Sequence, residues 1–361
     1  MAKRFLCGII VMLLISLSFW SAAETVIYLH DASTGVTEEI RLSMEEGFPE
    51  GSMALYLQGL QIVSQRDTRF ADAAYRYIRK EPFSRSGCGP ASLHNAIAAL
   101  FGLDEADTSA ALLLEIMNLL ANSNDPVNNP INYQRVVNKL VAPDPERYPV
   151  MSGLWSRCGL VSGVGNATSK KILAEVGKSD GSALIIGRFS LNTSMSDLVS
   201  LADALCRGGH GNAIIAFGNV STGDADSKAP FCMGDNGHYI SFVIQAQDFR
   251  DTGNVYILDS FPRAIRGENV NDLYTTRYYF AANNILTPFR VNYDVTRISP
   301  TAIMCSLREE PAAELARLRE TAESGRSRDL NAYLRAQSRL SSFLKTFGTG
   351  TIFVRIMDDI P

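Results

Sequence analysis

Histidine and tryptophan are scarce in this chain of 361 residues, four and two respectively, and there is no surplus of positive charge, with 34 Lys and Arg against 38 Asp and Glu. A formal net charge of −4 gives no reason to expect nucleic acid or an anionic membrane surface as a partner. Beyond the first twenty residues no apolar run is long enough to span a bilayer. The six cysteines show no CxxC spacing, so neither a structural metal nor any cofactor is expected. There is no internal repeat and no low-complexity tract, which excludes solenoids and extended disordered tails. What remains is an ordinary globular composition, 46% hydrophobic and 20% charged, with material for a substantial core. The length allows one large domain with appendages or two domains.

The first residues carry an address. Lys3 and Arg4 precede an apolar run from Phe5 to Trp20, and Ser21-Ala22-Ala23 offers the small residues that signal peptidase requires. Residues 1–23 therefore read as a signal peptide, and the mature chain as exported, periplasmic or extracellular, with no integral membrane association after cleavage. Removal of Lys3 and Arg4 takes the formal charge to −6. Export also bears on the cysteines. Without Cys7 the mature chain holds Cys88, Cys158, Cys206, Cys232 and Cys305, an odd number. In an oxidising compartment one thiol is left over. If it is Cys88, the other four form two disulfides in one of three pairings.

Ser86-Gly87-Cys88-Gly89-Pro90-Ala91-Ser92 places a cysteine at the mouth of a helix. Leu93, Ile97, Leu100 and Phe101 form a helical stripe downstream, and Gly89-Pro90 suits a first turn, where proline loses no hydrogen bond. A thiol at that end feels the positive pole of the helix, which favours the nucleophilic thiolate.

A second segment completes the chemistry. Tyr239 to Ile244 and Val255 to Leu258 read as buried strands joined by a polar connection, Gln247 to Gly253. Antiparallel pairing about a midpoint between Asp248 and Phe249 sets Asp259 opposite His238, within one position of register. An imidazole oriented by a carboxylate can hold a nearby thiolate as an ion pair. The result is a Cys-His-Asp arrangement.

The Gly-Cys-Gly-Pro-Ala-Ser start, the Gly237-His238-Tyr239 strand start and Leu258-Asp259 resemble a papain-like cysteine peptidase, nearest to the bacteriocin-processing (double-glycine) peptidases and their secreted relatives. The resemblance spans residues 82–262. It implies Cys88 as nucleophile, His238 as general base and acid, Asp259 as the residue that orients it, and a peptide or protein substrate cleaved through an acyl-enzyme. Phytochelatin synthase, a γ-glutamyl transferase, has a similar Cys helix and Gly-His…Leu-Asp pair. A papain-like scaffold retired from catalysis and kept for binding is the non-enzyme alternative.

One departure matters. These families carry a glutamine about six residues before the cysteine, whose amide helps bind the oxyanion, and here Pro82 stands in that place. The Cys88 backbone N–H is one remaining oxyanion donor; Ser84, Arg85 or the more distant Gln58, Gln61 or Gln65 are candidates for a second. The other histidines are less well placed. His94 falls on a different face of the helix from Cys88, His210 lies in a glycine-rich helix-to-strand loop, and His30 belongs to the N-terminal strand region.

The remaining segments set the expected organisation. Thr25–Leu29 and Val36–Leu42 read as a hairpin, and Met53–Ile78 as mixed helical packing with Leu55, Leu57, Leu60 and Val63 as its apolar face, or alternatively as part of a pro-segment. Ala110–Leu120 reads as a buried helix, Ala183–Ile186 and Ala213–Phe217 as strands flanking a helix that ends near Leu205, and Asn122–Pro130 as a loop. Asn166, Asn192 and Asn219 head sequons. Glu309–Glu323 and Leu330–Phe347 read as a helical hairpin. The expected fold class is α+β and papain-like, a helical lobe bearing Cys88 packed on an antiparallel sheet bearing His238 and Asp259. Its expected units are 24–80, an N-terminal extension; 81–300, the catalytic domain; and 301–361, a C-terminal helical appendage.

Overall fold

The computed structural model describes residues 25–30, 37–42, 47–65, 67, 69–70, 74–75, 81–121, 133–221, 239–259, 277–281, 292–299 and 301–357. The signal-peptide segment, the Asn122–Pro130 loop, Cys232 and His238 lie outside them. In chain order the strands are β1 (Thr25–His30), β2 (Thr37–Leu42), β3 (Ala74–Tyr75), β4 (Glu81–Pro82), β5 (Leu160–Asn166), β6 (Ala183–Ser190), β7 (Ile214–Ser221), β8 (Tyr239–Gln245), β9 (Val255–Leu258), β10 (Arg277–Ala281), β11 (Tyr293–Ser299), β12 (Ala302–Leu307) and β13 (Thr349–Ile356). The helices are α1 (Met53–Gln58), α2 (Phe83–Ser86), α3 (Cys88–Phe101), α4 (Ala106–Ala121), α5 (Tyr133–Val141), α6 (Pro149–Trp155), α7 (Ser169–Val176), α8 (Leu191–Arg207), α9 (Ala246–Thr252), α10 (Glu309–Glu323) and α11 (Ser327–Leu340), which runs into a 3₁₀ turn, Ser341–Thr346.

An eight-stranded sheet organises the molecule, in the order β11-β12-β9-β8-β7-β13-β6-β5. Every neighbouring pair is antiparallel except β5–β6. This is a mixed α+β architecture, and the sheet is covered on both faces. Leu93, Ala96, Ile97 and Leu100 of α3 pack with Ile186, Ala216, Val243, Leu258 and Phe353 on one side. Leu198, Ala202 and Leu205 of α8, with Phe343, Leu344 and Phe347 of the 3₁₀ turn, pack with Ile185, Phe217, Phe242 and Val354 on the other. Two buried faces explain why Ala183–Ile186 is continuously apolar and Ile240–Ile244 is apolar but for the buried Ser241, rather than alternating. The second layer is tied by rings: Phe217 and Phe242 stack across β7 and β8 with centroids 4.2 Å apart.

The N-terminal hairpin forms as expected, β1 antiparallel to β2, with β10 added in parallel to β1. In the Met53–Ile78 segment a helix forms over Met53–Gln58 alone among the described residues; there Leu57 is buried and Leu55 is exposed. The C-terminal segment departs most from expectation. Residues 301–361 do contain the helical hairpin, α10 followed by α11, but they also supply β12 and β13, and β13 lies in the middle of the sheet between β6 and β7. The segment is therefore built into the core rather than appended to it. Leu330–Phe347 is also not one continuous helix: α11 ends at Leu340 and the chain tightens into the 3₁₀ turn that inserts Phe343 and Phe347 under the sheet.

Candidate functional site

Cys88 is the first residue of α3 and is half-buried. Gly87 at the cap position provides no side-chain hydrogen bond to the helix start. The far end is treated differently. Arg355 of β13 donates to the Leu100 carbonyl and its guanidinium lies 4.4 Å from the centre of the Phe101 ring, while the Tyr56 hydroxyl donates to the Ala99 carbonyl at 2.8 Å. A cation thus sits on the negative pole of α3, and the positive pole is left to Cys88.

What lies against that pole comes from β7 and β8. A Cβ built on Gly89 would stand 3.2 Å from Asn219 Oδ1 and 3.9 Å from Tyr239 Cδ2. Tyr239 is the residue directly after His238, and Gly89 the one directly after Cys88. A few residues on, α3 lies so close to β7 that a Cβ at Gly218 would come 3.0 Å from Leu93 Cδ2 and 3.1 Å from both Leu93 Cα and Ala96 Cβ. Glycine allows that approach without strain; a methyl there would require α3 to give by a few tenths of an ångström.

Asn219 owes its position to a β-bulge. The β7–β8 register runs from Ile214↔Gln245 to Phe217↔Phe242, then resumes as Val220↔Ile240, so Gly218 and Asn219 together oppose Ser241. Asn219 is the one non-glycine residue with positive φ among the described residues, at 55°. The extra residue lets Gly218 and Asn219 both meet α3 before Val220 returns to the other face. Ser92 fixes the junction: its hydroxyl donates to the Gly89 carbonyl at 2.8 Å and accepts the Asn219 backbone N–H at 2.9 Å. The Asn219 side chain is fully buried, and neither its Oδ1 nor its Nδ2 has a hydrogen-bond partner. An unpaired amide of this kind costs about 1–3 kcal/mol. Asn219 heads a sequon, and its full burial removes it as a glycosylation acceptor.

Asp259 is also buried, at the end of β9, and its backbone N–H donates to the Thr301 carbonyl at 2.9 Å. The β8–β9 register differs from expectation. The pairs are Ser241↔Leu258, Phe242↔Ile257 and Val243↔Tyr256, a midpoint between Phe249 and Arg250 that sets Asp259 level with Ile240 rather than His238. The connection is not a symmetric loop but the helix α9, closed by Gly253 at φ 72°. Register instead follows the faces: Val243, Tyr256 and Leu258 lie on the α3 side, and a displacement of two positions keeps every side chain on its face.

The proposed oxyanion donors fare unevenly. Gln65 is buried and its amide is spent on the Ser84 carbonyl, 3.2 Å away, which ties the Ser84 turn down. The Gln58 amide donates to the Ile298 carbonyl, and the Gln61 backbone N–H bonds Leu103, beyond the far end of α3. The Gln58 and Gln65 amides thus each donate to a backbone carbonyl of the protein itself.

His94 is fully buried and structural. Asn95 Oδ1 accepts the Val63 N–H at 2.8 Å and lies 3.1 Å from His94 Nδ1, while the Ser109 hydroxyl lies 2.8 Å from His94 Nε2. With Nδ1 protonated and Nε2 accepting from Ser109, every group is satisfied. Burial lowers its pKa to about 4, so the ring is neutral.

Among the described residues no disulfide joins Cys88, Cys158, Cys206 or Cys305. Cys305 is fully buried in the core, and burial raises the pKa of its thiol. Burial likewise raises Cys158, and pushes Cys206 up to about 11. Among the described residues no group of three or more His, Cys, Asp or Glu side chains could hold a metal ion, and no helix is long and apolar enough to cross a membrane. Compared with family models, curated proteins and solved structures, the chain finds no match in any of the three.

Proposed function

We propose that this protein is an exported papain-like thiol hydrolase, a cysteine peptidase with Cys88, His238 and Asp259 as its catalytic unit. The observation that carries the reading is the packing of the Cys88 helix on β8, the strand that begins directly after His238: a Cβ built on Gly89 would stand 3.9 Å from Tyr239 Cδ2. A helix that begins at the cysteine behind a glycine cap, packed on a largely antiparallel sheet whose β8 follows His238, supports the same reading.

In this mechanism the Cys88 thiolate attacks the scissile carbonyl carbon, and the π pair moves onto oxygen. Collapse breaks the C–N bond as the His238 imidazolium protonates the departing amine, leaving a thioester. The neutral imidazole then takes a proton from water, whose oxygen attacks the thioester; the acid leaves and the thiolate–imidazolium pair is restored. Asp259 holds the ring in the tautomer this sequence needs. The test is cleavage of a diverse peptide library by the mature protein and by Cys88→Ala. Loss of all cleavage in the variant is expected; full hydrolysis without the thiol overturns the reading. Glutathione as sole substrate separates γ-glutamyl transfer, and a protein that alkylates at Cys88 yet turns over neither substrate is a binding scaffold instead.

A further inference from the structure

Resting on that reading, we propose that Asn219 is the second oxyanion donor, its side-chain amide supplying from β7 the N–H that the missing glutamine at position 82 would have given. Three independent features converge on it. It occupies a bulge that turns an additional residue toward the first turn of α3. It holds the left-handed backbone conformation, which asparagine tolerates better than other non-glycine residues. Its amide is buried with no partner for either atom. Strain and an unsatisfied polar group at one position are costs that a purely structural residue would have lost, and both are found where proteins store them for function.

The lack of a partner is what the role requires. A donor already paired in the free enzyme stabilises ground state and transition state alike, whereas one that is satisfied only when negative charge develops lowers the barrier. Because no hydrogen bond fixes the amide, rotation about its last bond presents Nδ2 in place of Oδ1 toward Gly89. The anchors are not free to move: Ser92 clamps the Asn219 backbone to the Gly89 carbonyl, so the amide is carried on the same turn as the nucleophile. Asn219 Nδ2 is then the donor that β7 supplies beside the Cys88 turn.

The test compares two reactions of the same thiol. Acylation by p-nitrophenyl acetate passes through a tetrahedral oxyanion before p-nitrophenolate leaves and the thioester forms. Alkylation by iodoacetamide displaces iodide at a saturated carbon and develops no oxyanion. Asn219→Gly removes the amide and relieves the backbone; it should slow acylation on the order of a hundred- to a thousand-fold, leaving the alkylation rate and the thermal midpoint no lower than in the parent. Asn219→Asp keeps the shape but offers only an acceptor, and should lose acylation equally. Equal acylation in parent and Asn219→Gly overturns the role of Asn219 while Cys88 chemistry stands. A parallel fall of both reactions, or a lower midpoint, makes the residue structural and also overturns it. A parent protein that alkylates at Cys88 but is never acylated there refutes the thiol-hydrolase reading itself, and this proposal with it.

Discussion

The hydroxyl of Ser92 receives the backbone N–H of Asn219 across 127 residues of sequence, and in the same place donates to the Gly89 carbonyl. One buried side chain therefore locks the first turn of α3 to the bulge of β7. Ser92→Ala leaves both the Asn219 N–H and the Gly89 carbonyl without that partner in a site closed to water. The expected loss is about 1–3 kcal/mol of stability, measured by denaturant unfolding, with a larger proportional loss of hydrolysis because the bulge loosens. Ser92→Thr, which retains the hydroxyl, should recover part of both.

Gly218→Ala tests the closeness of helix and sheet. The added methyl meets Leu93 Cα, a backbone atom that cannot rotate away, as well as Ala96 Cβ. Overpacking of this kind costs about 1–3 kcal/mol, and the helix start moves with it. A variant as stable as the parent would show that α3 can lift off β7 without penalty.

Acid should destabilise the protein through His94. In the unfolded chain this histidine takes a proton near 6.5, and in the folded protein only near 4. A lowered folded pKa means the contribution is complete above pH 6.5 and is lost as pH falls, levelling below pH 4 at about 3 kcal/mol. His94→Gln, which cannot titrate, should flatten the stability profile between pH 6.5 and 4. A profile unchanged by that substitution would assign the acid sensitivity elsewhere.

Much of the fold was legible because its signals are local. Glu309–Glu323 has helical spacing and ends before Ser324-Gly325, and α10 occupies those residues. The apolar runs at Ala183 and Ile240 gave strands because both faces of the sheet are buried. What could not be read was non-local. Thr349–Ile356 is as β-prone as β6, but nothing in it announces insertion between β6 and β7 after the chain has passed through two helices. The polarity of Gln247–Gly253 reads as a connection and hides the α9 helix, although Gln245 accepts the Asp248 N–H and Gly253 closes the end. At the site, Cys88 was legible from Gly-Pro punctuation. Asn219 was not, since a bulge appears only in the pairing of two strands.

The thiols should behave as free groups of graded access. Alkylation of the denatured protein without reductant is expected to label Cys158, Cys206 and Cys305 as well as Cys88, because those four are unbridged. In the native state at neutral pH, Cys305 should resist reagent until global unfolding, being buried with its pKa raised by that burial, and Cys206, near 11, should react slowly. Cys88, at a helix start, should react first. Protection of two or more of these cysteines in denaturant would restore the disulfide expectation.

The catalytic unit itself makes the most exposed prediction. If Cys88, His238 and Asp259 act as one device, as proposed, their losses should not add. Cys88→Ala and His238→Ala should each abolish turnover, and the double variant should be no worse than either. Asp259→Asn should retain partial activity, since the buried position at the end of β9 still places a hydrogen-bonding group of the same shape. The rate should describe a bell in pH, rising as the thiolate–imidazolium pair forms and falling as the imidazolium loses its proton. Circular dichroism on each variant separates loss of chemistry from loss of fold. If losses at Cys88 and His238 multiply instead of coinciding, the two residues do not share a proton, and the nucleophile at the head of α3 must be served by another base.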